Sequence, residues 1–252
     1  MKVEITPLCG ALGAEVHGID LSHDMDPANC SKIKDAFHEN IVLLFREQCL
    51  TPAQQVSFTS CFGPVEPHPL GSREGALSQP EILVLENRAD IPAPRNDFWH
   101  SDISFAECPP LGSVLYALEV PGEGLGDTLF CNMYSVLEEL SPGLQKTLKG
   151  LRALHSAEAL VRRNNEGDNN AKSIASIPSI VSHPVVRTHP ETGRKALYVN
   201  PYYTESFVGW TPEESRLLIE WLMQLATRQE NIYRHSWRQG DVLMWDNRCA
   251  MH

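Results

Sequence analysis

No run of this sequence is apolar for the length that crosses a bilayer, and no block of Lys and Arg interrupts its acidic balance. With 21 Lys plus Arg against 32 Asp plus Glu, the formal charge is −11. A chain that repels polyanions is a poor candidate for nucleic acid or an anionic membrane surface. Any anionic ligand must be met by local cations. No charged leader with an apolar core opens the chain, because Met1-Lys2-Val3-Glu4 places an acid at once. No Cys-x-x-Cys occurs among the seven cysteines (9, 30, 49, 61, 108, 131 and 249), and their odd number and spacing form no zinc pattern. They read as buried thiols in a reducing compartment, so the expected location is cytoplasmic. No repeat, low-complexity run or linker divides the 252 residues, and a single domain, 1–252, is expected.

What is present is a succession of short elements. Scattered through the chain, 18 Pro and 16 Gly suit many strands and loops. Leu12-Gly13-Ala14-Glu15-Val16-His17-Gly18 reads as part of a strand pair with turn glycines. Asp26-Pro27 opens a helix carrying Ile33, Ala36 and Phe37 at helical spacing. Ile41-Val42-Leu43-Leu44-Phe45 is a continuous apolar run, read as a buried strand. Thr51-Pro52-Ala53-Gln54 and Thr211-Pro212-Glu213-Glu214 are capping boxes that start helices. The second places Leu218, Trp221, Leu222 and Leu225 on one side as core. Glu81–Glu86, Leu111–Leu118, Asp127–Asn132 and the apolar segment after Gly240 read as strands, and Pro142 opens a helix ending at Gly150. Residues 162–178 are polar and aperiodic, a long loop that is either an active-site lid or plain surface. The expected fold is mainly β with flanking helices.

His100-Ser101-Asp102 is the triplet that carries chemistry. On a strand, residues i and i+2 share a face, so an imidazole and a carboxylate converge. The triplet alone has two readings: half of a metal site, or a His hydrogen-bonded to a neighbouring carboxylate. A third ligand would complete a 2-His-1-carboxylate face, which suits non-haem Fe(II). A second His-x-acid, His189-Pro190-Glu191, lies between two strand-like runs at a Pro/Gly turn. It is expected to be a solvated hairpin tip with no walls to enclose a metal.

Five runs, in order, extend the triplet: Leu12-Gly13-Ala14-Glu15-Val16, Trp99-His100-Ser101-Asp102, Gly126-Asp127-Thr128-Leu129, His183-Pro184-Val185-Val186-Arg187-Thr188-His189-Pro190, and Trp245-Asp246-Asn247-Arg248 with His252. On these the chain resembles the TauD/TfdA family of Fe(II)- and 2-oxoglutarate-dependent dioxygenases over nearly its whole length. The resemblance implies a double-stranded β-helix, a distorted, cupin-like jelly roll. It implies His100, Asp102 and His252 as iron ligands and Thr128 as the hydrogen-bond donor to 2-oxoglutarate. It further implies His68, Asn96 and Ile103 as substrate-contacting positions, with Tyr203 joined to them.

It implies O2 as the other cosubstrate, succinate and CO2 as products, and hydroxylation of a small, anionic organic substrate: a sulfonate, a sulfate ester, an aryloxyalkanoate or a related acid. The partner is then a small molecule, with a homo-oligomer left open. Two departures stand out. The family's Arg for the distal carboxylate of 2-oxoglutarate would fall beyond His252, so a C-terminal segment is expected to follow. Gly71 and Ala157 lie near positions where the taurine enzyme has aromatic residues, so a larger or differently shaped pocket is expected. Two other classes fit the same triad: a zinc-dependent hydrolase, for which no His-Glu-x-x-His is present, and a non-catalytic cupin-like binding protein.

Overall fold

The computed structural model describes residues 2–67, 79–86, 97–122, 124–158 and 180–252. Its strands are β1 (Glu4–Pro7), β2 (Ala14–His17), β3 (Val42–Phe45), β4 (Gly112–Tyr116), β5 (Thr128–Asn132), β6 (Arg152–His155) and β7 (Val181–Pro184). They continue as β8 (Val186–Thr188), β9 (Lys195–Leu197), β10 (Thr204–Phe207), β11 (Ile232–His235), β12 (Val242–Asp246) and β13 (Ala250–Met251). The helices are α1 (Pro27–Asn40), α2 (Pro52–Ser60), α3 (Met133–Glu139), α4 (Pro142–Lys149) and α5 (Pro212–Ala226).

β12 is the axis of the largest sheet, ordered β1-β2-β3-β12-β4. It pairs antiparallel with β3 on one side and β4 on the other. Period-2 alternation explains why β3 and the stretch Val242–Trp245 of β12 are apolar throughout. Leu43, Phe45, Val242 and Met244 face one cluster, where Ile33 and Phe37 of α1 and Phe58 of α2 cover them. Val42, Leu44, Leu243 and Trp245 face the other, shared with Phe130 and Cys131 of β5 and with α3 and α5. A sheet buried on both faces needs no polar side, so the run at 41–45 is continuous. Opposite the inner face lies the sheet β11-β5-β13; β10-β6-β7 and the hairpin β8-β9 complete the set.

The helix starts follow local chemistry. Asp26 caps α1 by accepting from Ala28 and Asn29, and both Thr capping boxes form, with Gln54 and Glu214 as reciprocal partners. Three expectations need correction, and one element was not expected. Glu81–Glu86 is not part of any sheet among the described residues. Trp221 is 47% exposed, and α5 instead buries Ser215, Ile219, Leu222, Met223, Leu225 and Ala226. The apolar stripe therefore lies to one side of Trp221. Of the cysteines, only Cys131 and Cys249 are buried, while Cys9, Cys49 and Cys108 are exposed. The helix α3 has no reading in the sequence; Asn132, the last residue of β5, caps it and turns strand directly into helix. The region 162–178 lies outside the described residues. No helix among the described residues is long and apolar enough to cross a membrane.

Candidate metal centre

The chain segments of His100 and His252 meet as a short antiparallel pair, each backbone N–H donating to the other's carbonyl at 2.8 Å. Between the two acid-base residues, Ser101 turns away and its Oγ donates to Ala250 O at 2.8 Å. Asp102 then leaves the pairing and enters a turn, so the triplet is not a regular strand as its spacing predicts. The same-side convergence survives because Ser101 is anchored on the other side. Ile103 has φ of 51°, a left-handed value that is costly for a β-branched residue and persists only where the surroundings over-determine it. Here Ser104, fully buried, is clamped by Asn200 Nδ2 and by His155 Nδ1, both at 3.1 Å.

His100 Nε2 lies 3.4 Å from Asp102 Oδ1, and His252 Nε2 lies 3.7 Å from the same oxygen. The three residues form one potential ligand group with donor atoms within 4.8 Å of one another. Atoms sharing an ion at about 2.1 Å would lie about 3 Å apart, so only a small contraction is required. His100 Nδ1 is 2.9 Å from Phe98 O. A carbonyl only accepts, so Nδ1 carries the proton and the Nε2 lone pair faces Asp102. Burial, with His100 beside it, pushes the His252 imidazole down to about 4 against the pull of Asp102. Burial alone would raise the Asp102 carboxyl. The positive charge that His252 and His100 would carry when protonated, together with the Ser113 hydroxyl, outweighs it and holds the carboxyl well below the usual range. A neutral imidazole and an ionised carboxylate are the states in which such groups bind a metal. His252 Nδ1 is buried without a hydrogen-bond partner, and the donor set fits a divalent transition metal.

Thr128 lies on β5 two residues before Phe130, whose ring is stacked 5.8 Å from His252. Period 2 therefore puts Thr128 on the same face. Its Oγ1 accepts from Trp237 Nε1 at 2.9 Å, which leaves its O–H free to donate to a carboxylate. Ile103 and Tyr203 come together with Phe105, Ala157 and Tyr202 in a separate apolar cluster. Tyr203 meets the His100 ring edge-on at 6.0 Å, and Tyr202 stacks on Phe98 at 3.5 Å. Asn200 Oδ1 presents both tyrosines by accepting from their backbone N–H groups at 3.2 and 2.7 Å. His68 and Asn96 lie outside the described residues.

Two further residues, with no signal of their own in the sequence, support Asp102: Ser113 Oγ donates to Asp102 Oδ2 at 2.5 Å, and Asn247 Nδ2 donates to Ser113 Oγ at 2.9 Å. His189 is not the solvated residue expected at a hairpin tip. The β8-β9 hairpin exists, but His189 is 1% exposed, with Nε2 2.9 Å from Asp246 Oδ2. His189, Asp246 and Cys249 form a second potential ligand group. There Arg248 grips both oxygens of Asp246, through Nε at 2.8 Å and Nη2 at 2.6 Å. That carboxylate is already saturated.

Comparison with known proteins matches residues 4–252 to the family described as "Taurine catabolism dioxygenase TauD, TfdA family". The chain is 35% identical to an alpha-ketoglutarate-dependent 2,4-dichlorophenoxyacetate dioxygenase of Cupriavidus pinatubonensis, covering 100% of this chain and 92% of that protein. It is 34% identical to an alkylsulfatase of Acinetobacter baylyi, covering 100% and 79%. Among solved structures, a taurine dioxygenase from Burkholderia xenovorans superposes with a TM-score of 0.81 at 34% identity, over 99% of this chain and 82% of that one.

Proposed function

The chain belongs to the TauD/TfdA family, and from that premise we propose that His100, Asp102 and His252 hold the Fe(II) of a 2-oxoglutarate-dependent dioxygenase. The observation that carries the reading is the convergence of three donors, from segments 150 residues apart in sequence, on one point where the two His nitrogens face a single carboxylate oxygen. When bound, the iron supplies oxidative decarboxylation of 2-oxoglutarate by O2, giving succinate and CO2, and hydroxylation of a substrate C–H bond. The residues do the rest. Thr128 donates its free hydroxyl to a carboxylate of 2-oxoglutarate. Phe130 and Trp245, packed 5.8 and 4.7 Å from the His252 ring, exclude water from one side of the centre. Facing sheets with the site toward one end are read as the double-stranded β-helix.

The substrate is a small organic acid, of the sulfonate, sulfate ester or aryloxyalkanoate class. The apolar cluster of Ile103, Phe105, Tyr203 and Ala157 is the wall assigned to its body. His68 and Asn96 are its proposed polar contacts. Anaerobic addition of Fe(II) and 2-oxoglutarate should produce a weak visible charge-transfer band, and O2 should then release succinate with members of that panel. A zinc hydrolase or a non-catalytic binding protein on the same triad would give neither, and absence of both signals overturns the assignment.

A further inference from the structure

Asp102 has two oxygens, and they are treated differently. Oδ1 faces both imidazoles. Oδ2 accepts the Ser113 hydroxyl at 2.5 Å, a length typical of a charge-assisted O–H···O⁻ bond. That hydroxyl has one proton, and its direction is decided by Asn247. Trp245 Nε1 and the Asp102 backbone N–H can only donate, and both point at Asn247 Oδ1, at 3.0 and 3.4 Å. The amide orientation is thereby fixed, and Nδ2 must donate to Ser113 Oγ, at 2.9 Å. With a lone pair so occupied, Ser113 has Asp102 Oδ2 as the place for its proton.

The backbone is built to bring these groups together. Ser113 on β4 is paired with Trp245 on β12. The preceding residue is Gly112, where an added Cβ would stand 2.5 Å from Trp245 O. Only a residue without a side chain lets β4 approach β12 this closely.

We propose that Ser113 and Asn247 are positioning residues that reserve Asp102 Oδ2 and so present Asp102 to the metal through Oδ1 alone. One oxygen rather than two from the carboxylate keeps a further coordination position open for cosubstrate. Neither residue touches the metal; each acts through Asp102. This rests on the iron-site reading given above.

The test is Mn(II) binding to the metal-stripped full chain, followed by electron paramagnetic resonance without cosubstrates. Ser113→Ala is expected to weaken binding about 10- to 100-fold, the usual effect of removing a partner of a metal ligand. Ser113→Thr, which keeps the hydroxyl, is expected to restore most of it. Asn247→Asp, which removes the donor to Ser113, is expected to weaken binding as well. Binding by Ser113→Ala within about twofold of the unaltered protein would overturn the proposal. So would a loss that Ser113→Thr fails to recover in a folded protein. Should Ser113→Ala not fold, Asn247→Asp decides by the same twofold criterion. Asp102→Ala separates the two levels. If the unaltered protein and Asp102→Ala bind Mn(II) equally, the metal site itself is wrong. If only Asp102→Ala loses the ion, the metal site stands and the positioning role falls.

Discussion

At the scale of the residue, charge states decide what the centre can do and how it responds to pH. His155 illustrates the second point without touching the metal ligands. It is fully buried, and burial, with His183 adding to it, pushes its imidazole down to about 3 from 6.5. Between those values the unfolded chain binds a proton there that the folded chain does not. Stability from this group is therefore complete above about pH 6.5 and falls as the pH drops toward 3, by about 1.4 kcal/mol per unit. Urea unfolding at pH 7 and pH 5 should show the loss, and His155→Gln should flatten the slope; an unchanged slope would refute the assignment. On the substrate side, Tyr203→Ala opens the wall beside His100 and should raise KM for the organic substrate with little change in Mn(II) affinity. His68→Ala should do the same if it supplies the polar contact proposed above, and an equal loss of metal binding would mark His68 as structural. Ser113 shows why residue roles were only half legible. A Ser inside Leu111-Gly112-Ser113-Val114 carries no signal of its own. Its two partners, 11 and 134 positions away, are set by strand register, which no local pattern reveals.

Elements were legible where their signals are local. Capping boxes at Thr51 and Thr211 and the Asp26-Pro27 start are complete within four residues, and all three form. Thr211→Ala should cost about 1 kcal/mol in urea unfolding, with activity kept. The hairpin β8-β9 was legible as a hairpin and misread as a surface. Its tip is drawn inward because Asp246, at the end of the fully buried strand β12, needs partners for both oxygens. Arg248 supplies a bidentate fork, His189 a third contact, and Glu191 closes on Arg248 at 2.5 Å. Arg248→Met leaves that buried carboxylate with only His189 and the backbone N–H of residue 248 as partners and should destabilise by about 3–5 kcal/mol. Arg248→Lys should recover little, since an ammonium cannot span both oxygens. Recovery to near the unaltered stability would show that charge alone, not the fork, holds the hairpin.

For the whole molecule, the centre joins two sheets that, among the described residues, share a core but no ladder of backbone hydrogen bonds. His100 and His252 are held to each other by one pair of backbone hydrogen bonds, and Asp102 reaches the large sheet through Ser113. β13, which leads to His252, belongs to the opposite sheet with β5. A bound ion would therefore tie the β4-β12 sheet to the β5-β13 sheet through three side chains. Binding to the folded state alone stabilises by about 2.7 kcal/mol at a hundred times the dissociation constant. In a domain of this size each kcal/mol raises Tm by about 2–4 °C. Saturating Mn(II) should thus lift Tm of the metal-stripped protein by about 5–10 °C, and chelation should reverse it. His252→Ala removes the proposed ligand on the β13 side and should abolish the shift, read against the variant's own metal-free Tm, which is expected to fall because the ring packs against Phe130 and Trp245. A shift that survives His252→Ala would place the stabilising ion elsewhere.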